Sequence, residues 1–140
     1  MVRTLLLVLM GSWTLLSNAQ HIDSIHVFQR LPDGQWTSAA AHAFAWKLHH
    51  QNAPFRSVRG AEIAVAKEAM ALYTPERHTY GPIPELTHVA MVFTGGRPTA
   101  LGVTDDLDRV INFTARKEYR ISSISEHVQV RALLARLLVE

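Results

Sequence analysis

The feature that most constrains the fold of this chain is the close spacing of its C-terminal apolar segments. His88 to Phe93, Thr99 to Val103, Val110 to Thr114 and Tyr119 to Ser122 are short runs, several rich in β-branched and aromatic residues, separated by only a few positions. That content favours strands. Parallel neighbours need a crossover of a dozen or more residues, so these segments must pair antiparallel, as a meander. The connections carry turn chemistry: a Gly-Gly hairpin signal in Thr94 to Pro98, three aspartates in Thr104 to Asp108, and a further turn at Ala115 to Lys117. His88 to Phe93 is almost continuously apolar, which marks it as a central strand.

The segments on either side of the meander read with comparable clarity. In Ile22 to Leu31, Ile25 and Val27 alternate with His26 and Phe28, a strand pattern that ends at the turn residues Pro32-Asp33-Gly34. Thr37 to Gln51 reads as a helix, capped by Thr37 or Ser38, with Ala41, Phe44, Ala45 and Leu48 on one apolar face. Asn52-Ala53-Pro54 stops it, because the residue before proline avoids helical dihedrals. A second helix is expected from Val58 or Gly60 to Tyr73, with an apolar sector wide enough to meet more than one neighbour. Residues 74–86, with Pro75, Pro82 and Pro84, read as an ordered but irregular loop. The last helix opens on the capping box Ser123-Ile124-Ser125-Glu126 and carries Val130, Leu133, Leu134, Leu137 and Leu138 as its stripe.

The expected fold is therefore α+β: a mostly antiparallel sheet of about four to five strands, two helices after the first strand, and a C-terminal helix packed on the sheet. All helices are expected on one face. With 140 residues, 48% hydrophobic and 19% charged, the chain has the composition of a single globular domain.

The N-terminus adds an address. Arg3 precedes an apolar stretch from Leu5 to Leu16, and Ser17-Asn18-Ala19 offers small residues at a cleavage site. This is the pattern of a signal peptide over residues 1–19, followed by a single α+β domain over 20–140. The stretch is shorter than the roughly 20 apolar residues needed to span a bilayer, so a secreted or periplasmic product without stable membrane insertion is expected. Cysteine is absent, which removes disulfides, thiolate chemistry and cysteine metal sites, and favours a bacterial cell envelope over an animal extracellular space. Fourteen basic against twelve acidic residues give a net charge of only +2, too little for a nucleic-acid footprint. Asn112-Phe113-Thr114 is a formal glycosylation sequon.

No nucleophile elbow, phosphate loop or cofactor motif occurs, so neither a catalytic residue nor a cofactor is assigned. The most informative surface is the helical stripe His42, Trp46, His49 and His50, which falls within about 100° on a helical wheel, opposite the Ala41–Phe44–Leu48 face. The i+4 neighbour of His42 is Trp46, not a second histidine. His42 and His49 lie about 10.5 Å apart in rise, too far for one helix to chelate a metal unaided. A tryptophan amid histidines suits a partner surface, since tryptophan is enriched at interface centres; the alternative is a packed or solvated face. His78 and Tyr80 in the proline loop are further binding candidates, while His21, His26 and His88 are scattered. Asp105, Asp106 and Asp108 read as turn residues or as oxygen ligands for a cation.

These features point to a small exported binding or interaction module recognising a protein, peptide or small ligand. A metal-assisted hydrolase using converging histidines, and a structural accessory domain without ligand, are the alternatives.

Overall fold

A computed structural model describes residues 21–76, 82–83 and 86–138. The signal-type segment and residues 77–81, with His78 and Tyr80, lie outside the described residues.

The elements in chain order are β1 (Ser24–Phe28), β2 (Trp36–Thr37), α1 (Ser38–His50), β3 (Phe55–Val58), α2 (Ala61–Met70), β4 (Thr74–Pro75), β5 (Pro82–Ile83), β6 (Leu86–Thr94), β7 (Arg97–Thr104), β8 (Arg109–Asn112), β9 (Lys117–Arg120) and α3 (Ile124–Leu134). The fold is α+β, as expected, but the sheet is larger. Seven strands run in the order β3-β1-β6-β7-β8-β9-β4, every pairing antiparallel, and β2 with β5 forms a separate two-stranded ribbon. The meander β6 to β9 is the C-terminal half predicted from spacing.

The additional strands come from tertiary pairing. Phe55–Val58 lacks a strand-like alternation, yet it pairs with β1, Phe28 opposite Phe55 and Ile25 opposite Val58. It forms one edge of the sheet, between two helices that sequence periodicity had placed almost end to end. Thr74–Pro75 forms the other edge against β9, where proline is tolerated because no outer partner needs its missing N–H.

The expectation that all helices share one face is overturned. The sheet is covered on both sides. Ile25, Val27, Ala90, Val92, Leu101, Val103, Val110 and Tyr119 point to one side, where α2 and α3 bury Ala66, Met70, Val130 and Leu134. Phe28, Val89, Met91, Ala100, Ile111 and Phe113 point to the other, beneath Ala41 and Ala45 of α1. Adjacent residues of one strand thus face different cores, which is why β6 is apolar throughout.

Local chemistry sets the helix ends. Thr37 Oγ1 accepts from the Ala40 N–H at 3.1 Å and starts α1. The helix stops in a left-handed turn at Asn52 (φ 50°), with Asn52 N–H donating to His49 O and Ala53 N–H to Leu48 O, the paired bonds of a Schellman motif. Ser123 Oγ caps α3 by accepting from Glu126 N–H at 3.2 Å. Val130, Leu134 and Leu137 are buried and Leu133 and Leu138 partly so, so the stripe docks on the sheet as expected. Among the described residues, no helix is long and apolar enough to cross a membrane.

Candidate functional site

Alanine at positions 41 and 45, both completely buried, lets α1 lie close over β6 and β7. That approach fixes where the flanking side chains of α1 must go. His42, Trp46 and His49 are half-buried and His50 is exposed. The stripe does not oppose the core face, as the helical wheel implied. It flanks the alanine seam and leans onto the sheet, because a helix on so flat a surface shares more than its central stripe with the layer beneath.

The result is a ladder of ring contacts along one side of α1. His42 stacks on Phe113, with centroids 5.9 Å apart and planes at 17°. Trp46 meets His42 at 6.5 Å and stacks on His50 at 5.5 Å, and its edge meets His49 at 5.9 Å. These are i,i+3 and i,i+4 neighbours, the spacings that bring side chains together on a helix. His49 touches Phe93 of β6 at 5.5 Å, and Phe93 touches His26 of β1 at 4.7 Å. His26 stacks nearly parallel on Phe55 of β3, with centroids 3.8 Å apart. Phe55 remains 44% exposed, so the ladder ends at the sheet edge in solvent.

One bond inside the ladder defines a protonation state. Trp46 Nε1–H donates to His42 Nε2 at 2.9 Å. Indole nitrogen is a donor only, so His42 Nε2 must be unprotonated and the ring neutral, with its hydrogen on Nδ1. The surroundings agree. Burial, reinforced by the charge of Arg116, lowers the His42 pKa below the ordinary 6.5. Burial, then the charges of Arg59 and His49, lowers that of His26.

Of the residues singled out from sequence, the structure brings together His42, Trp46, His49 and His50. It adds His26, Phe55, Phe93 and Phe113, which sequence reasoning had not joined to them. The parity of His26 with Phe28 was visible in the chain, but which helix would cover that parity was not. His21 is exposed beside Asp23 at 3.2 Å, and His88 is buried with Nδ1 2.9 Å from Thr87 Oγ1. Neither joins the ladder. Among the described residues no three His, Asp or Glu side chains converge as a metal-ligand set.

The acidic cluster performs turn duty. Asp106 Oδ1 accepts from Thr104 Oγ1 at 2.6 Å and from Asp108 N–H at 3.0 Å. Burial pushes the Asp106 carboxyl up, but these hydrogen bonds, with Arg109 and His127 nearby, bring it below the ordinary carboxylate range. Asp105 pairs with Arg30 at 3.3 Å. Asp108 Oδ1 lies 2.5 Å from His127 Nδ1, off the hydrogen-bond direction, a contact of charge when the imidazole is protonated. The sequon asparagine is similarly committed: Asn112 is buried and its Oδ1 accepts from Ala115 N–H at 2.9 Å. No protein-family model, curated protein or solved structure matches this chain.

Proposed function

We propose that the chain is an exported binding module of the cell envelope and that its ligand rests on the ring ladder beside α1. The observation that carries this reading is the half-exposed Trp46, held in place at the middle of a row of imidazole and phenyl rings. Rings already stacked and hydrogen-bonded lose little freedom when a ligand covers them, which favours binding. The row continues to the exposed Phe55 at the sheet edge, so an extended ligand has a continuous path.

Tryptophan fluorescence tests the reading. In a Trp36→Phe variant of the mature protein, Trp46 is the sole emitter, since Trp13 lies in the signal-type segment. Iodide is expected to quench it. An emission that iodide leaves unchanged would return these side chains to purely structural duty. Export rests on the N-terminal pattern and is tested by mass spectrometry of the mature chain, expected to begin at Gln20. An intact Met1 in the soluble exported fraction overturns it. The metal-assisted hydrolase reading finds no three-ligand set among the described residues, and metal analysis of untagged protein addresses it directly.

A further inference from the structure

Resting on that binding reading, we infer that the ligand is an acidic peptide in extended form. It adds to the free edge of β3 as an eighth strand, with an acidic side chain on Arg59 and an apolar one on Phe55.

The hydrogen-bond alternation of the sheet fixes which groups β3 leaves outward. Opposite residues of an antiparallel pair alternate between bonded and non-bonded, so one bond sets the pattern for the rest. Phe113 N–H donates to Ala100 O. Carried in register across β7, β6 and β1, this makes Ile25 with Val58 and Val27 with Arg56 the bonded pairs of β1 and β3. Phe55 and Ser57 therefore turn both N–H and C=O outward, and among the described residues no strand or turn pairs with them. Pro54 and Gly60 (φ 60°) bound the stretch. The opposite edge, β4, is two residues long and one of them is proline, which has no N–H to offer. Alternating outward donors and acceptors suit a peptide backbone, which repeats its own groups at the same interval. A glycan offers hydroxyls with no such repeat.

The side chains along the edge select the sign and shape of the ligand. Phe55 and Ser57 lie on the α1 side of the sheet, and Arg59 follows in the same parity. Phe55 is 44% exposed and backed by His26 at 3.8 Å, which gives a fixed apolar face at one end. Arg59 is exposed at the other end, its Nε–H donating to Ser57 Oγ at 2.8 Å. No acidic residue occurs between Asp33 and Glu62. The carboxylates nearest in the chain and the register are engaged: Glu62 by Arg56 at 2.7 Å, and Asp23 by His21 at 3.2 Å and the Gly96 N–H at 3.3 Å. Among the described residues no carboxylate pairs with Arg59, so the edge offers its charge to one from outside. The same charges disfavour a second copy of the chain, since β3 against β3 would gather four arginines in one short ladder. Antiparallel addition, the slightly stronger pairing, sets the acid of the peptide four residues before its apolar side chain.

The probe is the blocked hexapeptide Glu-Thr-Thr-Thr-Phe-Thr, added to the full mature chain and followed by calorimetry and amide hydrogen exchange. Exchange at Phe55 and Ser57 is expected to slow with peptide, while Arg56 and Val58, already bonded to β1, stay unchanged. N-methylation of the third and fifth peptide residues, whose N–H groups face β3, is expected to abolish binding. N-methylation of the second and fourth, which face away, is expected to retain it. Glutamine in place of the peptide glutamate, or Arg59→Gln in the protein, is expected to weaken binding about two- to fivefold, the range of an exposed ion pair. Added salt acts in the same direction. Equal effects of the two N-methylation patterns, or equal binding of the glutamine peptide, overturn the inference. So does slowed exchange at Phe55 and Ser57 on raising the protein concentration without peptide, which assigns the edge to a second copy. If iodide quenches Trp46 yet the peptide does not bind, only the peptide assignment falls. If Trp46 is not quenched and the peptide does not bind, the binding reading falls with it.

Discussion

The two faces of the sheet are built from the same strands and differ in almost everything else. Beneath α2 and α3 lies a continuous core of twenty buried residues, nearly all aliphatic, and the space between sheet and helices is wholly apolar around a void of about 50 Å³. Beneath α1 the buried cluster has ten residues, two of them the alanines of the helix itself. Its rim is made of imidazoles and aromatic rings with exposed edges. Buried apolar area scales with stabilisation, at about 25 cal/mol per Å², so the α2–α3 face holds the fold together. The α1 face closes the second side of the sheet with fewer buried apolar residues and a rim of half-buried rings. The larger apolar core and the ring ladder proposed to bind thus lie on opposite sides of one sheet.

The division can be broken first on the heavy side. Leu134 is 3% exposed, and Leu134→Ala is expected to cost roughly 2–5 kcal/mol in chemical denaturation. A cost below about half a kcal/mol would mean that this core is not the source of stability. Next in size is a substitution under α1. A Cβ on Gly102 would sit 2.6 Å from Phe113 Cζ and 2.9 Å from Leu86 Cδ1. The Phe113 ring is backed by His42, so it has little freedom to yield, and Gly102→Ala is expected to cost about 1–3 kcal/mol. A neutral result would show that the ladder is not anchored at that end.

The smallest effect is the most informative about the rim. His42→Ala removes the acceptor of the Trp46 indole, and is expected to cost about 1 kcal/mol and to shift Trp46 emission to the red. Because the folded-state pKa of His42 is depressed, the unfolded chain takes up its proton first as pH falls through about 6.5. This group's contribution to stability is thus present at neutral pH and is lost toward the folded-state value. The difference in urea midpoint between wild type and His42→Ala should shrink on going from about pH 7.5 to about pH 5.5. A difference that grows toward acid would place the proton on Nε2 of the folded state and contradict the bond as described.

Much of this organisation was legible in the residues. Thr37 and Ser123 cap α1 and α3, and the aspartates of 104–108 build the turn they suggested. The four-residue stripe on α1 was visible from spacing alone. Its setting was misjudged, since a helical wheel places His42 and Trp46 away from the alanine seam, whereas both are half-buried and His42 stacks on Phe113 beside the sheet. The run Val89 to Phe93 held the correct clue to two covered faces, because a strand with one wet side would alternate. Spacing also missed β3, whose four residues carry no periodic pattern and are a strand only because β1 offers an edge.

The sequence by itself determined the order of the long elements, the antiparallel meander and the stripe that docks α3. Each depends on residues within a few positions of one another, through turn geometry, capping bonds and side-chain period. Only the tertiary structure decided that α1 crosses to the opposite face from α2 and α3. It alone brought His26, Phe55, Phe93 and Phe113 against the helix. Those contacts join residues separated by tens of positions, and which side of a sheet a helix packs on depends on the path of its connections and on what else competes to cover that side. No local pattern encodes the competition, so the ladder exists only once both faces are closed.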